Sequence, residues 1–198
     1  MKKIIPILLV LTIFLACNKV QKEQPKENDK KVQEIEYLIK ENLEFSAFFK
    51  NKTMRVDYFH TGNSETEHFA IDKIISDGAW AGSATQLIDK LELGLYFFEI
   101  IDQETKILLY SRGFASIFGE WQLTPEADDW GTFHESIRFP WPIKPVTVVM
   151  KKRDAKNAFQ TIWTRDIDPD AREVNPADIA HTEKVDVILE SGPSNEKL

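Results

Sequence analysis

The run Thr53-Met54-Arg55-Val56-Asp57-Tyr58-Phe59 sets Met54, Val56 and Tyr58 against Arg55, Asp57 and Phe59 in alternation. A period of two is that of a strand whose successive side chains point to opposite faces, one dry and one wet. Similar short runs follow at His68 to Ile75, Leu95 to Ile101, Ile107 to Ser116, Thr132 to Phe139, Val146 to Lys152 and Ala158 to Ile167. Turn-forming residues separate them: Thr61-Gly62-Asn63, Asp77-Gly78, Asp102-Gln103-Glu104, Gly119 and the prolines Pro140, Pro142 and Pro145. About seven strands with regular turns predict an all-β fold, an antiparallel β-sandwich. Phe97-Phe98-Glu99-Ile100-Ile101 and Val146-Thr147-Val148-Val149-Met150 are apolar on both faces and are expected in central positions. The alternate prolines of Phe139-Pro140-Trp141-Pro142 cannot serve a central ladder and belong on an edge or in a connection.

Outward from this core, both ends of the chain turn polar. Residues 18–34 carry mixed charge, one proline and few apolar groups, the composition of a solvated tether. Ile35, Leu38, Ile39 and Leu43 fall on a helical spacing, so a short amphipathic helix is expected between Ile35 and Phe49, or else more linker that becomes ordered near Phe45. After Asp170 the chain is polar again apart from Val185 to Leu189. At the other extreme, Met1-Lys2-Lys3 precedes an unbroken apolar run, Ile4 to Ala16, and then Cys17, the single cysteine of the chain. That run has the basic start, short apolar stretch and small terminal residue of a secretory signal peptide, and is too short to span a bilayer comfortably. A cysteine directly after the small residue is what bacterial lipoprotein processing requires, with diacylglycerol on the thiol and the freed amine as the new N-terminus. Phe14 stands where the usual pattern prefers Leu; an uncleaved anchor helix or a buried free thiol is the competing reading of Cys17. Asn18 lacks the acidic character that marks inner-membrane retention, which points to the outer membrane of a bacterial cell envelope.

The formal net charge is −7, and removal of the leader takes away Lys2 and Lys3 but no acid. An acidic surface is repelled by phosphates, which excludes nucleic acid as a partner and leaves membrane attachment to the lipid on Cys17. With no second cysteine the domain must stand on its apolar core, and 42% hydrophobic residues with 11% aromatics are enough for one.

Few motifs carry chemistry. His134-Glu135-Ser136-Ile137-Arg138 resembles the HExxH string of zinc peptidases, in which two histidines one helical turn apart share a metal, but Arg138 replaces the second histidine. The segment also alternates as a strand, so no metal and no cofactor are expected there. His60, His68 and His181 lack metal-ligand spacing. Asp166, Asp168 and Asp170 imitate the start of a calcium loop, yet Ala171 and Ala177 stand where the loop needs Gly and Glu, which makes a solvated strand end the better reading. No nucleophile elbow, phosphate-binding glycine loop or catalytic cysteine is present. Of the five tryptophans, most are expected in the core, and Trp141, lodged between two prolines, is the candidate exposed binding aromatic.

Several longer strings, from Thr53 to Asp170, carry a resemblance. They include Thr53 to Asn63, Trp80-Ala-Gly-Ser83 with Leu87-Ile-Asp89, and Tyr110-Ser-Arg-Gly-Phe-Ala115 with Phe118-Gly-Glu-Trp121. Thr132-Phe-His-Glu-Ser136, Phe139-Pro-Trp-Pro142, Lys152-Arg-Asp154 and Ile167-Asp-Pro-Asp170 complete the set. Together they resemble the N-terminal domain of the IgA peptidase family of zinc metallopeptidases (metallopeptidase family sixty-four). The resemblance implies a β-sandwich that precedes a separate catalytic domain, where that family's HExxH lies, so no catalytic residue carries over to this chain. It divides the sequence into a lipoprotein signal peptide (1–16), lipidated Cys17 with tether and short helix (17–44), a sandwich resembling the peptidase module (45–170) and a polar tail that leads toward an absent catalytic domain (171–198). The expected function is that of a lipid-anchored, non-catalytic accessory module with a peptidase domain supplied in trans as partner. An independent glycan- or protein-binding sandwich, or the N-terminal part of a longer peptidase, are the alternatives. Exposed coplanar tryptophans would favour the glycan reading, and an apolar patch beside the tail would favour a docking domain.

Overall fold

A computed structural model describes residues 35–40 and 42–178. Alternation at Thr53–Phe59 is realised in strand β1 (Phe49–Gly62), which hairpins into β2 (Glu67–Ser76). Strands β3 (Tyr96–Asp102), β4 (Leu108–Phe114), β5 (Gly131–Pro142), β6 (Val146–Arg153) and β7 (Phe159–Ile167) follow, and a two-residue β8 (Val174–Asn175) ends the series. They form two four-stranded sheets, ordered β5-β1-β2-β8 and β4-β3-β6-β7. Every pairing is antiparallel except β2 with β8. The chain is therefore an all-β sandwich. Its helical parts are short: α1 (Phe45–Phe48), α2 (Ile117–Trp121) and a 3₁₀ turn at Pro125–Asp128.

The two inner faces interdigitate as the period of two demands. Met54, Val56 and Tyr58 of β1, Ile137, Phe139 and Trp141 of β5, Phe98 and Ile100 of β3, and Val146, Val148 and Met150 of β6 belong to one buried cluster. Each such large side chain contributes about 1.5–3 kcal/mol by leaving water. β3 and β6 take the two central positions of their sheet, as their apolar runs predict. All of β3 is buried because the outer face of that sheet is covered too: Ile35, Tyr37 and Ile88 pack on Ile101, Leu108 and Val149.

Two expectations change here. The residues from Ile35 to Leu43 do not form the amphipathic helix; helix appears only in the single turn at Phe45–Phe48. The Leu38 N–H instead donates to the Lys106 carbonyl at 2.7 Å, and the Leu108 N–H to the Leu38 carbonyl at 3.0 Å. Edge strand β4 thus satisfies the backbone that a helix would have satisfied internally, and Ile35 and Tyr37, two apart, dock on the sheet. The second change is Trp141, which is 2% exposed rather than open to solvent. The inward phase of Ile137 and Phe139 runs on through the proline pair, and β5 is an edge strand, where proline is tolerated.

Strand β2 carries one irregularity. Asp57 pairs with Lys73, but Tyr58 pairs with Ile71, so Asp72 is an extra residue in β2. This bulge flips the phase of the strand: Ile74 faces inward below it, and Phe69 and Ile71 join the core above it. Asp72 is left on the outer face beside Asp57.

Candidate functional site

His134 and Glu135 are neighbours on β5 and therefore point to opposite faces of the sheet. The near-miss peptidase string is split in two by strand geometry, and each half joins a different cluster.

Glu135 points inward, to the fully buried imidazole of His60. His60 Nδ1 lies 3.0 Å from Glu135 Oε2, and Nε2 lies 2.9 Å from Glu67 Oε2. Its ring is stacked between Phe118, with centroids 3.8 Å apart, and Phe69 at 4.2 Å. The carboxylates are themselves fully engaged. Tyr58 donates to Glu135 and Tyr96 to Glu67, Lys152 donates to Glu67 Oε1 at 2.7 Å, and the Phe118 N–H of α2 donates to Glu135 Oε1 at 3.1 Å. Burial works against a charged His60, but hydrogen bonds and charge from Glu135 and Glu67 outweigh it and raise the imidazole above its ordinary pKa. Burial likewise pushes both carboxyls up, and the His60 contacts, with Lys152 and Tyr96 at Glu67 and the Phe118 amide and Tyr58 at Glu135, bring them below the usual range. Desolvation foremost, then the adjoining glutamates, raise the phenols of Tyr58 and Tyr96. With His60 protonated, two carboxylates, one imidazolium and one ammonium cancel in charge, and the cluster is a neutral, hydrogen-bonded pin. It ties β1, β2, β5 and α2 to β3 and β6 across the two sheets. With both ring nitrogens and both carboxylates committed, it has no group left to attack a substrate.

His134 points outward. Its Nε2 is 3.1 Å from Asp72 Oδ2, and one ligand atom from each of Asp57, Asp72 and His134 falls within 4.8 Å of the others. Two carboxylates and an imidazole could in principle hold a divalent cation. Arg55, however, already grips Asp57 with two bonds of 2.9 and 3.1 Å, and the Lys73 ammonium sits 3.6 Å from Asp72 and 3.9 Å from Asp57. Arg55 and Arg138 also converge on Asp77 at 2.8 and 2.7 Å, and the Arg138 contact leads in holding that carboxyl below its ordinary pKa. The cluster is an ion-pair network whose cation places are taken by side chains. Among the described residues, Asp166, Asp168 and Asp170 form no comparable grouping; Asp166 accepts from Thr147 and Asp168 caps the turn at the Asp170 N–H.

Aromatic and aliphatic exposure concentrates elsewhere than at Trp141. Trp130 is 60% exposed and lies parallel to the His68 ring, 6.0 Å away, in place of a tryptophan pair. Leu91, Leu93, Ile117 and Leu123 are between 65% and 85% exposed. Leu91 and Leu93 come from the loop before β3, and Ile117 and Leu123 from α2 and the turn after it; the two segments approach where a Cβ on Gly119 would lie 2.6 Å from the Tyr96 ring and 3.0 Å from Leu95. Arg153 fastens the first loop through the Glu92 and Gly94 carbonyls. Both segments lie at the Gly62 and Gly131 end of the sandwich, where Gln122 donates to the Asn63 carbonyl at 2.8 Å. The described chain leaves at the other end, where Asp178 meets Ser76 and Lys52. Cys17 and His181 lie outside the described residues.

A search of curated proteins finds no match to the chain. A protein family described as the peptidase M64 N-terminus matches residues 44–164, which takes in α1 and nearly all of the sandwich. The chain thus belongs to the peptidase M64 N-terminal family, and its sandwich is a peptidase-associated N-terminal module.

Proposed function

We propose that this protein is a non-catalytic, lipid-anchored accessory module that docks on a peptidase catalytic domain. The single observation that carries the reading is the fate of the His134-Glu135 pair: in a chain of peptidase family, it is spent on a structural pin and a surface ion network. Leu91, Leu93, Ile117 and Leu123 offer exposed aliphatic surface to such a partner, at the end of the sandwich away from Asp178 rather than beside the tail. Cys17 would hold the module in the bacterial cell envelope, at the outer membrane, with residues 18–34 as tether.

Calorimetric titration with a purified catalytic domain of the same peptidase family tests the docking. Saturable binding is expected, weakened about tenfold or more in Leu91→Ser/Leu123→Ser. No binding, or binding indifferent to those changes, overturns it. Metabolic labelling with an alkyne fatty acid should mark the wild-type chain and not Cys17→Ser.

A further inference from the structure

The two sheets treat their outer faces differently. One is roofed by Ile35 and Tyr37; the other, formed by β5, β1 and β2, lies open. On the open face Phe59 stands 40% exposed with the His134 ring 5.2 Å from its own. The next pair along the strands, about 7 Å away, is Thr61 and Thr132, whose hydroxyls are hydrogen-bonded at 3.1 Å. His68 faces Thr61 across β2 and carries Trp130 stacked on its ring. Two ring surfaces therefore flank a strip of hydroxyls on a rigid sheet, and the stack on His68 fixes the indole plane before any ligand arrives.

We propose that this face is a binding platform for a neutral oligosaccharide. The charge balance selects that class. Asp57 is held by Arg55, Asp77 by Arg55 and Arg138, and Asp72 by His134 and Lys73, so the charges next to the rings are already paired with one another. A charged peptide or an anionic sugar would have to break those pairs, whereas an uncharged sugar needs only aromatic surface for its C–H faces and hydroxyls for its own. The platform uses Phe59, Trp130 and the two threonines and none of the four exposed aliphatic side chains at the same end, so the two proposals fail independently.

The test is a titration of the full protein with chitohexaose and cellohexaose, followed by saturation-transfer NMR and tryptophan fluorescence, with a sialylated oligosaccharide and a short peptide in parallel. Saturable binding to at least one neutral oligosaccharide is expected. Trp130→Ala should weaken it about tenfold or more, Phe59→Ala by less, and Trp130→Phe should retain most of it. Unfolding temperatures of the variants should match the wild type, because both rings are exposed, and Leu91→Ser/Leu123→Ser should bind as the wild type does. No saturable binding to either neutral oligosaccharide, binding undiminished by Trp130→Ala, or preference for the sialylated sugar or the peptide overturns the proposal.

Discussion

His60 and His134 face opposite sides of one sheet, on adjacent pairs of the β1–β5 ladder, and each imidazole lies among carboxylates. Around His60 the setting is dry: two glutamates, two tyrosines, one lysine and two stacked phenyl rings leave the ring fully buried. Around His134 it is wet except at Asp57, which is buried under Arg55, and Lys73 shares the aspartates with it. The ligand types are nearly the same, and burial decides what they become. In the interior an unpaired charge is very costly, so the inner cluster must be complete and acts as a pin. At the surface water and mobile cations substitute for any partner, so the outer cluster adjusts to a loss.

The sharpest way to break the comparison is to remove each imidazole in turn. His60→Ala leaves two buried carboxylates facing a cavity and should cost about 3–5 kcal/mol in urea denaturation at neutral pH. His134→Ala should stay within about 0.5 kcal/mol of the wild type. Equal costs would erase the distinction. Glu135→Gln, which keeps the shape but removes the charge and one of the two oxygens that accept from His60 and from the Phe118 amide, should cost about 1–3 kcal/mol.

The pH profile sharpens it further. The His60 pKa is raised in the folded chain, so its contribution is fully present below the unfolded histidine value of about 6.5 and is lost as pH rises through the folded value. Glu67 and Glu135 are lowered, so theirs is present above about 4.3 and is lost as pH falls through their folded values. Unfolding midpoints measured across pH should therefore decline on both sides of a plateau. His60→Ala should abolish the alkaline limb, while His134→Ala should keep it. The smallest effect belongs to the outer network. Arg138→Ala should cost about 0–1 kcal/mol, and less in high salt, by the same denaturation measurement.

Much of the fold was legible because strands announce themselves by a period of two. β2 through β7 lie within a residue or two of the runs that predict them, except for the proline-bearing end of β5, while β1 begins four residues before Thr53 and ends three after Phe59. β8 was not legible, since two residues carry no period. The helix expected after Ile35 failed because Ile35, Leu38, Ile39 and Leu43 fit a helical stripe on paper, while the free edge of β4 offers their backbone better partners. Trp141 was misplaced because its flanking prolines suggested a connection, although the inward phase of Ile137 and Phe139 already pointed it into the core. The inner cluster was half visible. His60 continues the inward series Met54, Val56, Tyr58, which marks a buried polar residue in need of partners. Those partners lie 7 and 75 residues away, on β2, whose register turns on the bulge at Asp72, and on β5, and no local pattern encodes that. The exposed stack of Trp130 on His68 likewise joins a loop to a strand and has no sequence signature.

The central claim, that the His134-Glu135 pair serves structure and forms no peptidase centre, is tested most directly by an activity assay. The purified protein is incubated with excess zinc and an unfolded protein substrate, alongside Glu135→Gln and His134→Ala. No hydrolysis above buffer is predicted for any of the three, with only Glu135→Gln unfolding at lower temperature. Zinc-dependent cleavage by the wild type that disappears in either variant would contradict the account.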